Sequence, residues 1–171
     1  MNMVRKSIGI KNIEITAIEK HPVPVLGVDY KVKIIYKNVK FPQVDVEKFT
    51  IKISLPNKYK KCDKKEILNL AIEKLYEQIA IVEIENAMEK MRVMLKIAPE
   101  DYKIKKMKNS FGKCENKKIT INPEVVKYSR RFIEYVVLHE YCHLKYKNHC
   151  KGFYEMIEEY EPDYERFGKV D

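Results

Sequence analysis

Apolar and polar residues alternate from Tyr30 onward: Tyr30, Val32, Ile34 and Tyr36 fall on one face, and Lys31, Lys33 and Lys37 on the other. Ile51, Ile53 and Leu55 repeat the pattern. Period two predicts half-buried antiparallel strands with their lysines in water. The stretch from Ile13 to Ile18 is a third candidate strand, and Pro22, Pro24, Gly27 and Pro42 punctuate the connections. The period then changes. Asp63-Lys64-Lys65-Glu66 has the form of a capping box, an acceptor side chain followed three residues later by Glu, and about thirty residues without Gly or Pro come after it. The long helix predicted there carries an apolar stripe of Leu68, Ala71, Ile72, Leu75, Ile79 and Val82. The stripe then shifts to Ile84, Met88, Met91 and Leu95. A bend or break near Glu83 would accommodate the shift, and Pro99 is expected to end the helix. Lys103 to Lys108 and Ile119 to Asn122 read as two short strands joined around residues 112–116, and Asn122-Pro123 closes the second.

The last pattern is different in kind. Ser129 is placed to cap a helix from Arg130 to about Lys147. Its apolar residues, including Phe132, Ile133, Tyr135, Val136, Val137, Leu138, Tyr141, Cys142 and Leu144, are spread almost all the way round the axis. A helix apolar on all sides is buried on all sides. Polar groups inside such a helix are costly unless they have partners, and His139, Glu140 and His143 stand in its middle.

Composition narrows the class. The chain has 171 residues and is 45% hydrophobic, enough for a real core and too apolar for a disordered chain. No apolar run approaches the roughly 18 residues needed to span a bilayer. Met1 to Lys11 contains no continuous apolar block of the kind a signal peptide requires. The expectation is a soluble, cytoplasmic protein, with which the four cysteines agree, and the lack of a Cys-x-x-Cys pair argues against a zinc ribbon. The expected organisation is a strand-rich part over residues 1–62 and a helical part over residues 63–171, together making one compact domain or two. The net charge of +9 is unevenly spread. Residues 1–66 hold 15 basic and 7 acidic side chains, whereas residues 131–171 hold 6 and 9. The basic residues of the first third occupy outward strand faces, where solvation is the default reading over nucleic-acid contact. Two of the interleaved aromatics, Tyr30 and Tyr36, alternate onto the opposite face, and a stacking platform would need them on the basic one.

His139-Glu140-Tyr141-Cys142-His143 is a His-Glu-x-x-His motif. One helical turn separates the histidines, so both imidazoles project from one face and can share a metal ion. Glu140 lies about 100° round from His139, where it can act as general base toward a metal-activated water instead of ligating. A catalytic zinc takes a third protein ligand, and His149 is the candidate. A continuing helix would carry His149 out of reach, so the chain must turn back after Lys147; Asn148 tolerates the left-handed conformation that such a turn uses. Blander readings stand beside this one. The histidines could be hydrogen-bonded core residues, and Cys142 or Cys150 could join a closed, structural zinc site. Glu134 could orient a ligand or simply be ion-paired. Cys114 suits packing against the helix, Cys62 is incidental, and His21, before Pro22, suits a surface loop.

Residues from about Met107 to Tyr164 resemble the YgjP-like zinc metallopeptidases, relatives of the SprT-like and WLM groups. That family shows Trp-Gly-Ser-Cys, an Ile-x-Leu-Asn strand, Val-Val-x-His-Glu-x-x-His, an Asn-His pair and Pro-Asp-Tyr. Here these stand as Phe111-Gly112-Lys113-Cys114, Ile119-Thr120-Ile121-Asn122, Val136-Val137-Leu138-His139-Glu140-Tyr141-Cys142-His143, Asn148-His149 and Pro162-Asp163-Tyr164. Phe111 and Lys113 replace the usual Trp and Ser, and Ser110 stands where Arg is common, which would alter a substrate cleft lined by that segment. The metzincin pattern does not fit, because Tyr146 occupies the place of its turn glycine and no Met-turn follows.

The resemblance implies an α+β, zincin-like fold with an N-terminal antiparallel sheet, a long helix, a short hairpin and a buried His-Glu-x-x-His helix. It also implies a hydrolase that cuts peptide or protein substrates, with Zn²⁺ on His139, His143 and His149 and with Glu140 as general base. Tyr164 is a candidate oxyanion stabiliser. Two alternatives come from other classes. One is a basic, DNA-associated protein with a structural or vestigial metal site, and the other is a zinc-binding scaffold that holds peptides without cutting them.

Overall fold

The computed structural model describes residues 15–18 and 22–168. The chain divides into two compact units, one drawn from Met1–Val23 and Tyr30–Ala71, the other from Pro24–Asp29 and Ile72–Asp171. His21 and the first two residues of the Ile13 to Ile18 stretch lie outside the described residues.

The first unit is built on a five-stranded sheet. Its strands are β1 (Ile15–Ile18), β2 (Val23–Val25), β3 (Val28–Lys37), β4 (Gln43–Glu47) and β5 (Thr50–Pro56), in the order β1-β3-β5-β4 with β2 also on β3. The alternation sets the faces as expected. Val32, Ile34 and Tyr36 lie beside Ile51, Ile53 and Leu55 in register, and all six are buried. Each such burial stabilises the fold by about 1.5–3 kcal/mol. The opposite face pairs Lys33 with Lys52 and Lys52 with Asp45, and Lys52 forms an ion pair with Glu47. The sheet is mixed where an antiparallel one was expected. β1 on β3 and β4 on β5 are antiparallel, but β3 and β5 run parallel. The β4–β5 hairpin folds back so that its second strand, not its first, meets β3. Alternation cannot distinguish the two arrangements, because it fixes a strand's faces and not its direction.

The helix α1 (Lys64–Leu95) starts as the capping box predicts: Asp63 Oδ1 accepts from the Lys65 backbone N–H at 2.7 Å and from that of Glu66 at 3.4 Å. It runs unbroken past Glu83, because the buried stripe is continuous once the right residues are counted. Leu75, Tyr76, Ala80, Ile84, Ala87, Met88 and Met91 are buried, whereas Val82 is 56% exposed. Lys96, in the left-handed region at φ 54°, ends the helix three residues before Pro99, and its N–H bonds the Arg92 carbonyl at 3.1 Å.

The second unit carries a three-stranded sheet of β6 (Asp101–Ile104), β7 (Gly112–Glu115) and β8 (Lys118–Ile121), in the order β6-β8-β7. The short hairpin is β7–β8, turned by Asn116 and Lys117, both at positive φ, while β6 lies parallel to β8. The hairpin expected between residues 103–108 and 119–122 does not form: β6 overlaps the first stretch only at Lys103 and Ile104 and runs parallel to β8, and β7, the true hairpin partner of β8, is the strand the pattern missed. The helices α2 (Arg130–His143) and α3 (Lys151–Tyr160) complete the unit. Residues 24–29 also belong to it. The Leu26-Gly27 turn donates its N–H groups to the carbonyls of Val126 and Lys127 at 2.6 and 3.2 Å. Among the described residues, no helix is long and apolar enough to cross a membrane.

Candidate metal centre and cleft

The helix α2 is held at its start and along its length. Ser129 Oγ accepts from the Phe132 N–H at 3.3 Å, and Arg130 makes a two-pronged ion pair with Glu83 of α1 at 2.8 and 2.7 Å. The Tyr141 hydroxyl donates to the Met88 carbonyl at 3.0 Å. As its all-round apolar pattern predicts, every residue from Phe132 to Cys142 except Glu134 is buried. The helix stops at His143, four residues earlier than expected. The chain turns there through bonds from the Lys145 and Tyr146 N–H groups to the Cys142 carbonyl at 3.1 and 2.9 Å. Asn148 does not adopt the left-handed conformation expected of it; none of residues 144–150 does.

This early turn brings the third histidine back. His149 Nε2 lies 3.1 Å from His139 Nε2, and one nitrogen from each of His139, His143 and His149 falls within 4.8 Å of the others. Two nitrogens at about 2.0–2.1 Å from a tetrahedral ion would stand about 3.3 Å apart, so the donor set suits a small divalent ion such as zinc. His143 Nδ1 lies 3.0 Å from the Tyr146 carbonyl. A carbonyl can only accept, so Nδ1 carries the proton and Nε2 keeps a lone pair for a metal. Phe153 of α3, fully buried, has its ring centroid 5.0, 4.7 and 4.6 Å from those of His139, His143 and His149. It forms an apolar floor shared by all three imidazoles. Nothing in the sequence reading singled it out; the available signal is the Phe153 and Ile157 pair at helical spacing.

Glu140 is 1% exposed and is covered by β7. A β-carbon on Gly112 would lie 2.3 Å from Glu140 Oε1 and 2.7 Å from its Cδ, so only glycine permits this approach. The strand is positioned by Asn122, a buried side chain whose Nδ2 donates to the carbonyls of Met107 and Ser110, both at 3.0 Å, while its Oδ1 accepts from the Glu124 N–H at 3.2 Å. Its own backbone N–H bonds the Phe111 carbonyl at 2.8 Å. Gly112 and Asn122 are thus the residues whose role the sequence hid behind a turn and a strand end.

Between β7 and the turn after α2 opens a cleft of about 510 Å³, lined by Ser110, Gly112, Lys113, Cys114, Glu140, His143, Lys147, Asn148 and His149. Burial, with Glu140 nearby as the lesser cause, pushes the Cys114 thiol up to about 11 and the Cys142 thiol up to about 12. Neither offers a thiolate at neutral pH, and no cysteine belongs to the three-histidine group. Phe111 does not line the cleft; its ring sits edge-on to Tyr128 and Phe132 at 5.2 and 5.3 Å. Glu134 is ion-paired to Lys90. Tyr164 does not line the cleft either: it stacks on Tyr154 at 5.9 Å, and Tyr154 stands between it and His149.

A family model described as YgjP-like, metallopeptidase domain, matches residues 3–169. No curated protein sequence matches the chain. Two solved structures are similar to part of it. The metallopeptidase zymogen of Pyrococcus abyssi, abylysin, is 22% identical with a TM-score of 0.45, over 49% of this chain and 87% of that one. The metallopeptidase zymogen of Methanocaldococcus jannaschii, jannalysin, is 24% identical with a TM-score of 0.44, over 49% and 88%.

Proposed function

The chain belongs to the YgjP-like metallopeptidase family, and from that premise we propose that it hydrolyses peptide bonds with one zinc ion held by His139, His143 and His149 and with Glu140 as general base. The observation that carries the reading is the convergence of three imidazole nitrogens within 4.8 Å beside a buried carboxylate. Zinc, when bound there, supplies a Lewis acid that makes water acidic near neutral pH and polarises the scissile carbonyl. Glu140 takes a proton from the attacking water on a carboxylate oxygen and delivers it to the leaving amine nitrogen. The backbone of β7 restrains that carboxylate at Gly112, and the Tyr146 carbonyl fixes the ring of His143. Among the described residues β7 is an edge strand whose one strand partner is β8, so its other edge can pair with an extended peptide.

The test is Glu140→Gln, assayed for metal content and for turnover of a mixed peptide substrate. Zinc should remain at about one per chain while turnover falls roughly 10²–10⁴-fold. Undiminished turnover in that variant would remove Glu140 from the mechanism. No turnover by the wild-type protein with zinc bound would instead favour a scaffold that binds peptides without cutting them.

A further inference from the structure

Gly152 stands in the first turn of α3 without a backbone reason to be glycine. Its φ is not positive, and inside a helix glycine is less favourable than alanine because it has more conformational freedom to lose. What the position requires is room. A β-carbon there would lie 3.0 Å from Cε1 of Tyr146 and 3.3 Å from its Cζ and Oη, closer than the usual separation of atoms in contact, so the Tyr146 ring fills the space a side chain would take. The other end of Tyr146 serves the histidines. Its carbonyl accepts from His143 Nδ1 at 3.0 Å, and its N–H donates to the Cys142 carbonyl at 2.9 Å, so this one backbone both closes the turn after α2 and sets the tautomer of His143. Lys145, Lys147, Asn148, His149 and Cys150 around it are exposed, whereas Tyr146 is half-buried. Its ring anchors the turn to α3 one residue before Phe153, the floor beneath all three imidazoles.

We propose that Tyr146 and Gly152 are positioning residues for the metal centre: the Tyr146 ring, seated where Gly152 has no side chain, holds the Tyr146 carbonyl on His143 Nδ1 and so keeps the lone pair of Nε2 turned to the ion. The inference rests on the metal-centre reading for what Nε2 is offered to, but its first readout needs no metal. A partner that orients a ligand ring in this way governs metal affinity as well as geometry.

The experiment reads two quantities in the full-chain protein: the ring tautomer of His143, from its nitrogen chemical shifts in the metal-free state at mildly alkaline pH, and zinc affinity, by competition with a chelator. Wild type should show the Nδ1–H form. Tyr146→Ala and Gly152→Val should each lose that preference and bind zinc about tenfold more weakly. The double variant should lose no more than either alone, because both changes break the same contact. Tyr146→Phe, which keeps the ring, should behave as wild type. Ile157→Val, which thins the buried packing further along α3, should lower the melting temperature of the metal-free protein and leave both readings unchanged. Wild-type tautomer and affinity in Tyr146→Ala, additive losses in the double variant, or the same losses in Ile157→Val would each overturn the proposal. Should Gly152→Val fail to fold, the comparison of Tyr146→Ala with Tyr146→Phe decides it. A wild-type protein that keeps the Nδ1–H form yet binds no zinc would count against the metal-centre reading alone, since the tautomer decides the positioning role by itself.

Discussion

The sheet of the first unit and the helix α2 of the second are both buried by apolar residues, yet they treat polar groups in opposite ways. From Val32 in β3 and from Ile51 in β5 every second side chain is apolar and enclosed, and Lys33 and Lys52 lie on the opposite face. Along α2 the enclosed residues include His139 and Glu140. Of the buried polar residues among those described, Ser54 lies in the sheet, while Asn122, His139 and Glu140 gather around the cleft. Burying a carboxylate or an imidazole lowers stability, and a strand that merely builds a core has no reason to do it. The contrast teaches where to look: one region is organised to be stable, the other to hold chemistry in place.

Substitutions can break that contrast or sharpen it. The largest expected effect is on stability. Ile53→Ala, at a position 1% exposed, should destabilise the first unit by about 2–5 kcal/mol in urea unfolding and leave zinc content unchanged. Loss of zinc in that variant would show that the two regions are not separable in this way. Next comes Gly112→Ala. Its methyl would fall 2.3 Å from Glu140 Oε1, so β7 or the carboxylate must move, and turnover should drop about 100-fold at unchanged zinc content. Asn122→Ala should cost about 1–3 kcal/mol, because two carbonyls and one N–H lose their partner. Asn122→Asp, which keeps the acceptor and loses both donor bonds, should do no better in the same melt.

The last effect concerns pH and shows only at its alkaline end. Tyr76, whose hydroxyl donates to the Pro24 carbonyl at 2.8 Å, has its pKa pushed up by burial to about 12. A phenol held neutral in the folded state stabilises fully below its unfolded pKa of about 10, and that stability is lost as pH rises through 12. The loss should be on the order of 2 kcal/mol. Tyr76→Phe should flatten this part of the alkaline profile; an unchanged profile would assign the loss to other groups.

Much of this was legible in the sequence, for identifiable reasons. The faces of β3 and β5 follow from period two, and the start of α1 and of α2 from Asp63 and Ser129. The histidine spacing names its own geometry. What escaped lies where one segment depends on another far along the chain. The parallel pairing of β3 with β5 is a choice of strand order, which no local pattern encodes. The supposed break at Glu83 arose from counting Val82 into the stripe and leaving out Tyr76, Ala80 and Ala87. Small residues mark a close helix contact as surely as large ones, and Glu83 has its own partner in Arg130. β7 was missed because Gly-Lys-Cys-Glu shows no alternation, and the role of its glycine is defined by a carboxylate 28 positions later.

That glycine matters to anyone wishing to transplant the centre into another scaffold. Copying the three histidines and Glu140 onto a new helix and loop would reproduce the proposed ligands and the proposed base while omitting a fifth requirement, which is an empty space. The recipe must specify a strand passing so close to the carboxylate that no side chain fits, together with the amide that braces the strand from behind.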